Sequence, residues 1–408
     1  MPPRKRTATL LAAAGAPLAL GGCLGDTGGD EPARVEGRSA TVYLSLPRDG
    51  VSAPAARAVE AGARLALRDS GGRAGDLPIR LRTLSTTEEG ELFWDPDLVN
   101  ANADRAAEDP RSIAYLGELD LGASAISMPI LNEARLLQVS PEDGLTSLTS
   151  TPPGRLRSTP ERLWPSGERN FVRLVPRDLL QAETLVERMG ERGAERPALV
   201  FDQEVYGREL AAQIISRLRR AGHEPVGSEE YRGNVDEIGD IADRLAEGSP
   251  DSIVYAGVAG PGTGRLLAAI DSRMPGVPVY TTSGILARDR DRPIPRAPLS
   301  VEALTPVRAA AELPAAGQRV MRSVARRAGA AADRPEAVYG YEAMRVILDA
   351  VRAGGRRRER VTRAALAMRD RDSALGRYRL RGTGDVDDER HYLYALRDGR
   401  FRFVREID

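Results

Sequence analysis

The stretch RPALVFDQEVYGRELAAQIISRLRRAG (196–222) holds the repeating unit of this chain. An apolar, β-prone run is followed by a polar turn through Tyr206-Gly207, and then by a helix-length segment that stops at Gly222. The same pairing precedes it as NFVRLVP and DLLQAETLVERMGERG. It continues after it through HEPVGSEEY, VDEIGDIADRLAEG, DSIVYAGV, GRLLAAIDSRM and VPVYTTSG. Nearer the start, ATVYLSL ends at the turn Pro47-Arg48-Asp49-Gly50, and APAARAVEAGARLALRDS follows with Ala58, Val59, Ala61, Leu65 and Ala66 at helical spacing. LPIRLRTLS, DLVNANADRAAED, SIAYLGEL, SAISMPILNEAR and LLQVSP extend the alternation. Strands separated by helices of about 10–15 residues predict βαβ units, right-handed crossovers and parallel sheets. Two stretches interrupt the rhythm, a Pro/Ser/Arg-rich one at 146–169 and an Arg/Pro-rich one at 286–306. Each reads as a surface loop or an interdomain crossing, with its arginines solvated.

The N-terminus has a different character. Arg4-Lys5-Arg6 precede the uncharged run from Ala8 to Leu20, and Gly21-Gly22-Cys23 follow. A basic start, a short apolar run and small residues define a secretory signal. Thirteen residues, at about 1.5 Å each, cannot span a hydrocarbon core of roughly 30 Å. Leu20-Gly21-Gly22-Cys23 resembles the lipobox of bacterial lipoproteins, which implies lipidation of Cys23, the only cysteine. Acyl chains contribute about 0.8 kcal/mol per buried methylene, so a diacylated Cys23 is a membrane anchor. Residues 1–22 are thus expected to be a signal peptide, and the Gly-rich 23–39 a flexible tether.

The body of about 370 residues suggests two domains. Lys+Arg and Asp+Glu are both 59, so no basic excess exists to hold nucleic acid. Lys5 is the only lysine, as a GC-rich genome would give. Without another cysteine the body has no disulfide, and burial alone must hold it. The two histidines, His223 and His391, lie far apart, which argues against a His/Cys metal centre.

Taken whole, the order of segments resembles the type 1 periplasmic binding-protein fold. More narrowly, it resembles the branched-chain amino-acid (leucine/isoleucine/valine) binding proteins of ABC importers. AVEAGARLALRDSGG is similar to that family's first helix, and GELDLGASAISMPILNEARLLQVSPEDGLTSLT to its glycine, Ser/Thr-rich loop, helix, strand and Ser-Pro. ALVFDQEVYGRELA is similar to its Tyr-Gly turn, PEAVYGYEAMRVILDAV to its late Tyr-rich helix, and GDVDDERHYLYALRDGRF to its closing hairpin. The resemblance implies two Rossmann-like lobes hinged by three crossings, near Arg173, Ser300 and Leu375. Lobe 1 is then 40–172 with 300–374, and lobe 2 is 173–299 with 375–408.

In such sheets ligands bind beyond the carboxyl ends of strands. The expected contacts are Asp49, Asp120, Ser124, Ser140, Asp143 and Gly144 from lobe 1, with Tyr206, Val258, Ala259 and Ser283 from lobe 2. Asp120 and Ser124 can equally cap the helix that follows them, and Asp143-Gly144 can be a plain turn. Trp94 and Trp164 read as covers of core edges, and at least one of Tyr339 and Tyr341 as core. The resemblance places Asp120-Leu121 where the amino-acid binders have two serines, and Glu142-Asp143-Gly144 where they have Ala-Ala-Thr. Ser283 stands where they have the acid that meets the α-ammonium. Acids beside a ligand carboxylate would cost several kcal/mol. Either the register slips by a residue or two, or the ligand is no ordinary amino acid; a cationic or polyhydroxylated one suits Asp120 and Asp143.

An enzyme would need a nucleophile with its base, paired carboxylates or a metal, and no such constellation is evident. GVAGPGTG (257–264) lacks the Lys-Ser/Thr of a P-loop, and reads as a loop kept small beside a cleft. The expectation is a monomeric, lipid-anchored, extracytoplasmic solute-binding protein. It would have no cofactor, would not bind nucleic acid, and would deliver a small polar ligand (an amino acid or related compound) to an ABC permease. The alternative is the ligand-sensing module of a signalling system. Receptors of this fold usually continue into further segments, whereas this sequence stops after FRFVREID. Neighbouring permease and ATPase genes favour import; a kinase gene favours sensing.

Overall fold

The computed structural model describes residues 34–153, 160–287, 300–329 and 334–407. The signal segment and Cys23 lie outside them.

The alternation read from the sequence builds two sheets. The first comes from β1 (Ala40–Leu46), α1 (Ala53–Asp69), β2 (Arg73–Ala74), β3 (Leu77–Ser85), α2 (Pro96–Glu108), β4 (Ser112–Leu116), α3 (Ser124–Glu133), β5 (Leu137–Ser140) and β6 (Phe171–Arg173). Its strand order is β2-β3-β1-β4-β5-β6, parallel except for the short β2. The chain then builds α4 (Asp178–Glu191), β7 (Pro197–Asp202), α5 (Val205–Arg220), β8 (Gly227–Tyr231), α6 (Ile238–Glu247), β9 (Ser252–Ala256), α7 (Thr263–Arg273), β10 (Val279–Thr281), α8 (Ser283–Ala287) and β11 (Val301–Thr305). It returns to the first lobe for α9 (Ala315–Ala328), α10 (Glu336–Gly354), α11 (Arg358–Leu366) and the hairpin β12 (Arg371–Ser373) and β13 (Gly376–Tyr378). Finally β14 (His391–Arg397) and β15 (Arg400–Ile407) extend the second sheet antiparallel, in the order β15-β14-β11-β10-β9-β7-β8.

Each sheet is buried on both faces, as parallel sheets are. In β1, Val42, Leu44 and Leu46 face the core shared with α1 and α10, while Tyr43 faces the one shared with α2 and α3. In the second sheet Val200, Ile253 and Val279 pack under α6 and α7, and Leu199, Val254 and Tyr280 under α4 and α5. Period-two alternation in the strands sets both assignments. Among the described residues no helix is long and apolar enough to cross a membrane.

Three expected boundaries move. Val35 is buried, and its amide donates to Arg356 O at 2.7 Å, so the described end of the expected tether is docked on the first lobe. β11 pairs with β10 and β14, and Arg188 forks onto Glu302 at 2.8 and 2.9 Å, so the second crossing follows Thr305, not Ser300. Leu375, Tyr378, Leu380 and Val386 pack in the first lobe's core, with the Tyr378 hydroxyl donating to Glu342 at 2.7 Å. The third crossing therefore lies just before His391, not near Leu375.

Helices α1 and α10 meet backbone to backbone. A methyl on Gly62 would overlap the Ala337 carbonyl oxygen, and one on Gly340 the Val59 carbonyl oxygen. Neither neighbour is a flexible side chain that could yield. Gly340→Ala is expected to lose about 1–3 kcal/mol in urea denaturation. Gly190→Ala in α4, where a methyl meets open space, is expected to gain up to about 1 kcal/mol.

Candidate binding cleft

The strand-end loops of the two lobes face one another across a cavity of about 170 Å³. This is smaller than the roughly 300–1,000 Å³ of sites for drug-sized ligands, and suits a molecule of amino-acid size. The first lobe contributes Ser52 and Ala55 from the start of α1, Phe93 and Trp94 from the loop before α2, Leu119 to Leu121 after β4, and Glu142 after β5. The second contributes Asp178 at the start of α4, Glu204 before α5, Val258 after β9, and Ser283 and Leu286 of α8. Thr305 at the end of β11, Pro306 and Val307 of the second crossing, and Glu336 of α10 complete the wall.

The lobes also touch outside the cavity. The Phe93 ring tip lies where a methyl on Gly260 would meet it at 3.3 Å. The Ser147 amide donates to Glu209 of α5 at 2.9 Å, and the Thr146 hydroxyl to Gln213 at 3.3 Å.

Of the residues expected to meet a ligand, Asp120, Val258 and Ser283 line the cavity. The others stand behind it or beside it. Asp143 is fully buried and accepts from the amides of Gly122 and Ser124, both at 3.0 Å, so it caps α3. The Ser124 hydroxyl accepts from the Glu118 amide at 3.4 Å. Ser140 donates to the Glu118 carbonyl at 2.7 Å and accepts from the Asp143 amide at 2.9 Å. Gly144 lets the Asp178 carboxyl approach, since a methyl there would overlap it. Asp49 is half-buried on the loop after β1, away from the lining. Ala259 is buried, its amide on Gly284 O at 3.0 Å.

Tyr206 is a support rather than a wall. It is fully buried and packs in the α4–α5 core. Its hydroxyl donates to Thr282 at 2.8 Å and lies 3.3 Å from both Gln181 and Ser283. The neighbouring glycine also has a structural cause, because a methyl on Gly207 would collide with the Asp202 carboxylate. That carboxylate accepts the Val258 amide at 2.6 Å and fixes the loop after β9. Burial, with Glu204 nearby, pushes Asp202 up to about 6 despite that bond.

Trp94 lines the cavity instead of covering a core edge, whereas Trp164 is a cover, with Arg169 stacked 3.7 Å from its ring centre. Tyr339 is core, its hydroxyl accepting from the Arg308 amide at 2.9 Å. Sequence reasoning passed over Ser52, Asp178, Glu204 and Glu336. Asp178 did carry a signal, as an acid opening a helix directly after Pro176-Arg177.

Behind the wall, Glu118 is fully buried and receives the Tyr115 hydroxyl at 2.7 Å. Burial pushes it up to about 8; bonds from Tyr115, Ser45 and Ser127 oppose the rise, and Asp120 adds to it. The folded protein therefore keeps a proton on Glu118 that the unfolded chain, with a glutamate near its ordinary value of about 4.3, gives up much earlier. Stability from this group is fully present below that value and falls as pH rises toward about 8. Glu118→Gln retains an acceptor for Tyr115 and has no proton to lose. Its melting temperature, measured by circular dichroism, is expected to fall less than the parent's between pH 5 and 8.

A family profile described as periplasmic binding protein matches residues 41–399. A leucine-binding protein from Thermotoga maritima superposes with a TM-score of 0.74 at 18% identity, over 90% of this chain and 99% of its own. An ABC-transporter substrate-binding protein from Desulfitobacterium hafniense, in complex with Leu, gives 0.68 at 19% identity over 90% and 100%. A solute-binding protein of an ABC transporter from R. palustris, in complex with 4-hydroxybenzoate, gives 0.73 at 17% identity over 90% and 97%. No curated protein matches. At these identities the likeness to solved structures carries the fold alone.

Proposed function

Because the chain belongs to the periplasmic binding-protein family, we propose that it is the extracytoplasmic solute-binding component of an ABC importer. It captures one small molecule between its lobes and passes it on unaltered. The observation that carries this reading is the cavity itself, whose walls come from the strand-end loops of both lobes and from a segment that crosses between them. A ligand held there bridges two bodies, so binding favours one mutual orientation of the lobes and gives a permease a shape to recognise. Water excluded on closure strengthens each polar contact.

Lipid attachment through Cys23 belongs to the same reading and rests on Leu20-Gly21-Gly22-Cys23. Metabolic labelling with an alkynyl fatty acid is expected to mark the parent protein and not Cys23→Ser, which should leave the membrane fraction. Labelling that survives in the variant would remove the anchor.

The binding role is tested by a thermal-shift and calorimetric screen of amino acids, polyamines, amines, aromatic acids, polyols and short peptides. A ligand at a hundred times its Kd stabilises by about 2.7 kcal/mol, equivalent to a rise of several degrees in Tm. Absence of any hit across the library would overturn the reading.

A further inference from the structure

We infer that the cleft selects an organic cation with an apolar body and no carboxylate, its charge held between Asp120 of the first lobe and Asp178 of the second. This rests on the interlobe cavity being the ligand site. Five carboxyl side chains line the cavity: Asp120, Glu142, Asp178, Glu204 and Glu336. Among the described residues no Arg, Lys or His does. One nearby cation, Arg334, stands 3.8 Å from Glu336 and offsets that acid; two others are committed elsewhere. Arg173 holds Asp385 at 2.8 Å and the carbonyls of Asp143 and Leu145, and Arg308 holds Asp388 at 2.8 Å.

One helix start that could receive an anion is already filled. The start of α3 points backbone amides toward the cleft loops, a natural carboxylate site. Asp143 occupies two of those donors, Gly122 and Ser124, and also accepts from the Leu145 amide at 3.3 Å. A ligand carboxylate would have to displace a buried side chain and then sit among acids.

Asp178 points to the opposite charge. It is 2% exposed, lines the cavity, and its Oδ2 has no hydrogen-bond partner. A buried carboxyl oxygen without a donor is costly unless a ligand supplies one. The remaining wall is apolar and aromatic, with Phe93, Trp94, Leu119, Leu286 and Val307. Aromatic faces attract ammonium groups and accommodate hydrocarbon, but reward nothing in a second carboxylate.

A cation also resolves the electrostatics of the unliganded cleft. Burial, then Asp143, pushes Asp120 up to about 6, against hydrogen bonds from Ser52 and Thr86; Glu118 lies behind it. Burial, then Asp143, raises Asp178 well above the usual range, with Arg173 opposing and Glu209 adding. Glu142, Glu204 and Glu336 face the same space. A bound cation favours the ionised carboxyls, so binding expels protons. Affinity therefore falls below pH about 6, where Asp120 is protonated, and rises above it.

The test is calorimetric titration of the intact protein with matched probes: phenethylamine, phenylalanine, 3-phenylpropionate and 2-phenylethanol, then isopentylamine against leucine. Each amine is expected to bind at least tenfold more tightly than its zwitterion, anion or alcohol. Its affinity should rise several-fold from pH 5.5 to 7.5, with a heat that depends on the buffer's ionisation enthalpy. Asp120→Asn and Asp178→Asn, checked for unchanged circular dichroism, should each weaken amine binding at least tenfold. Tighter binding of leucine, phenylalanine or phenylpropionate overturns the cation inference and leaves the solute-binding role standing. So does amine binding that is indifferent to both Asn variants. Silence of all six probes overturns the inference as well, and the role falls with it only if the whole library is silent.

Discussion

One buried guanidinium ties the hinge to the cleft. Arg173 ends β6 with no exposed surface, and its donors reach Asp385, the carbonyls of Asp143 and Leu145, and the Thr149 hydroxyl. Its own amide donates to Gly384 O at 3.0 Å. Three stretches far apart in sequence, 143–149, 171–173 and 383–385, are thereby held at one point. Burial alone would raise Asp385, but Arg173 with Thr383 and Thr149 outweighs it and holds the carboxyl below its usual range. A buried pair of this kind contributes little net stability against an apolar replacement, yet losing one partner leaves a stranded charge worth about 3–5 kcal/mol. Its effect here is positional. It fixes the loop that carries Glu142 and Asp143, and through Asp143 it sets the start of α3.

The cleft follows from that arrangement. With Arg173 turned toward Asp385 and Asp143 turned onto the α3 amides, that guanidinium and those donors are both taken up by the protein. What remains facing the cavity is a set of acids between apolar and aromatic walls. The loops that bear them are placed by the parallel strands of each sheet, whose carboxyl ends open toward one side. Supports such as Tyr206 and Asp202 then hold Ser283 and Val258 in position without lining the cavity themselves.

The fold was largely legible because each βα unit carries its own local signal, an apolar run, a turn and an amphipathic segment. Where that signal weakens, the reading slipped. β11 is only five residues long and follows an Arg/Pro-rich stretch, so pairing with β10 and β14, not local pattern, decides its lobe. Helix α9, with arginines at 319, 322, 326 and 327, shows little apolar run, and its core face rests on Val320, Met321 and Val324. The site was legible only in part. Loops could be chosen from strand ends, which put Asp120, Val258 and Ser283 on the cavity wall, but the direction of a side chain within a loop depends on partners remote in sequence. Asp143 turns away because the Gly122 and Ser124 amides await it. Glu336 arrives from a helix that starts 193 residues after Asp143.

The threefold passage of the chain bears on how this molecule is made. The first sheet is complete at Arg173, but α10, which covers it, begins at Glu336. The second sheet lacks β14 and β15 until the last residues are synthesised. Neither lobe can seal its interior from a contiguous piece, so a nascent chain emerging from the ribosome stays open until it is nearly finished. Such long-range closure is slow, so the apolar faces of both sheets stay uncovered until segments remote in sequence arrive.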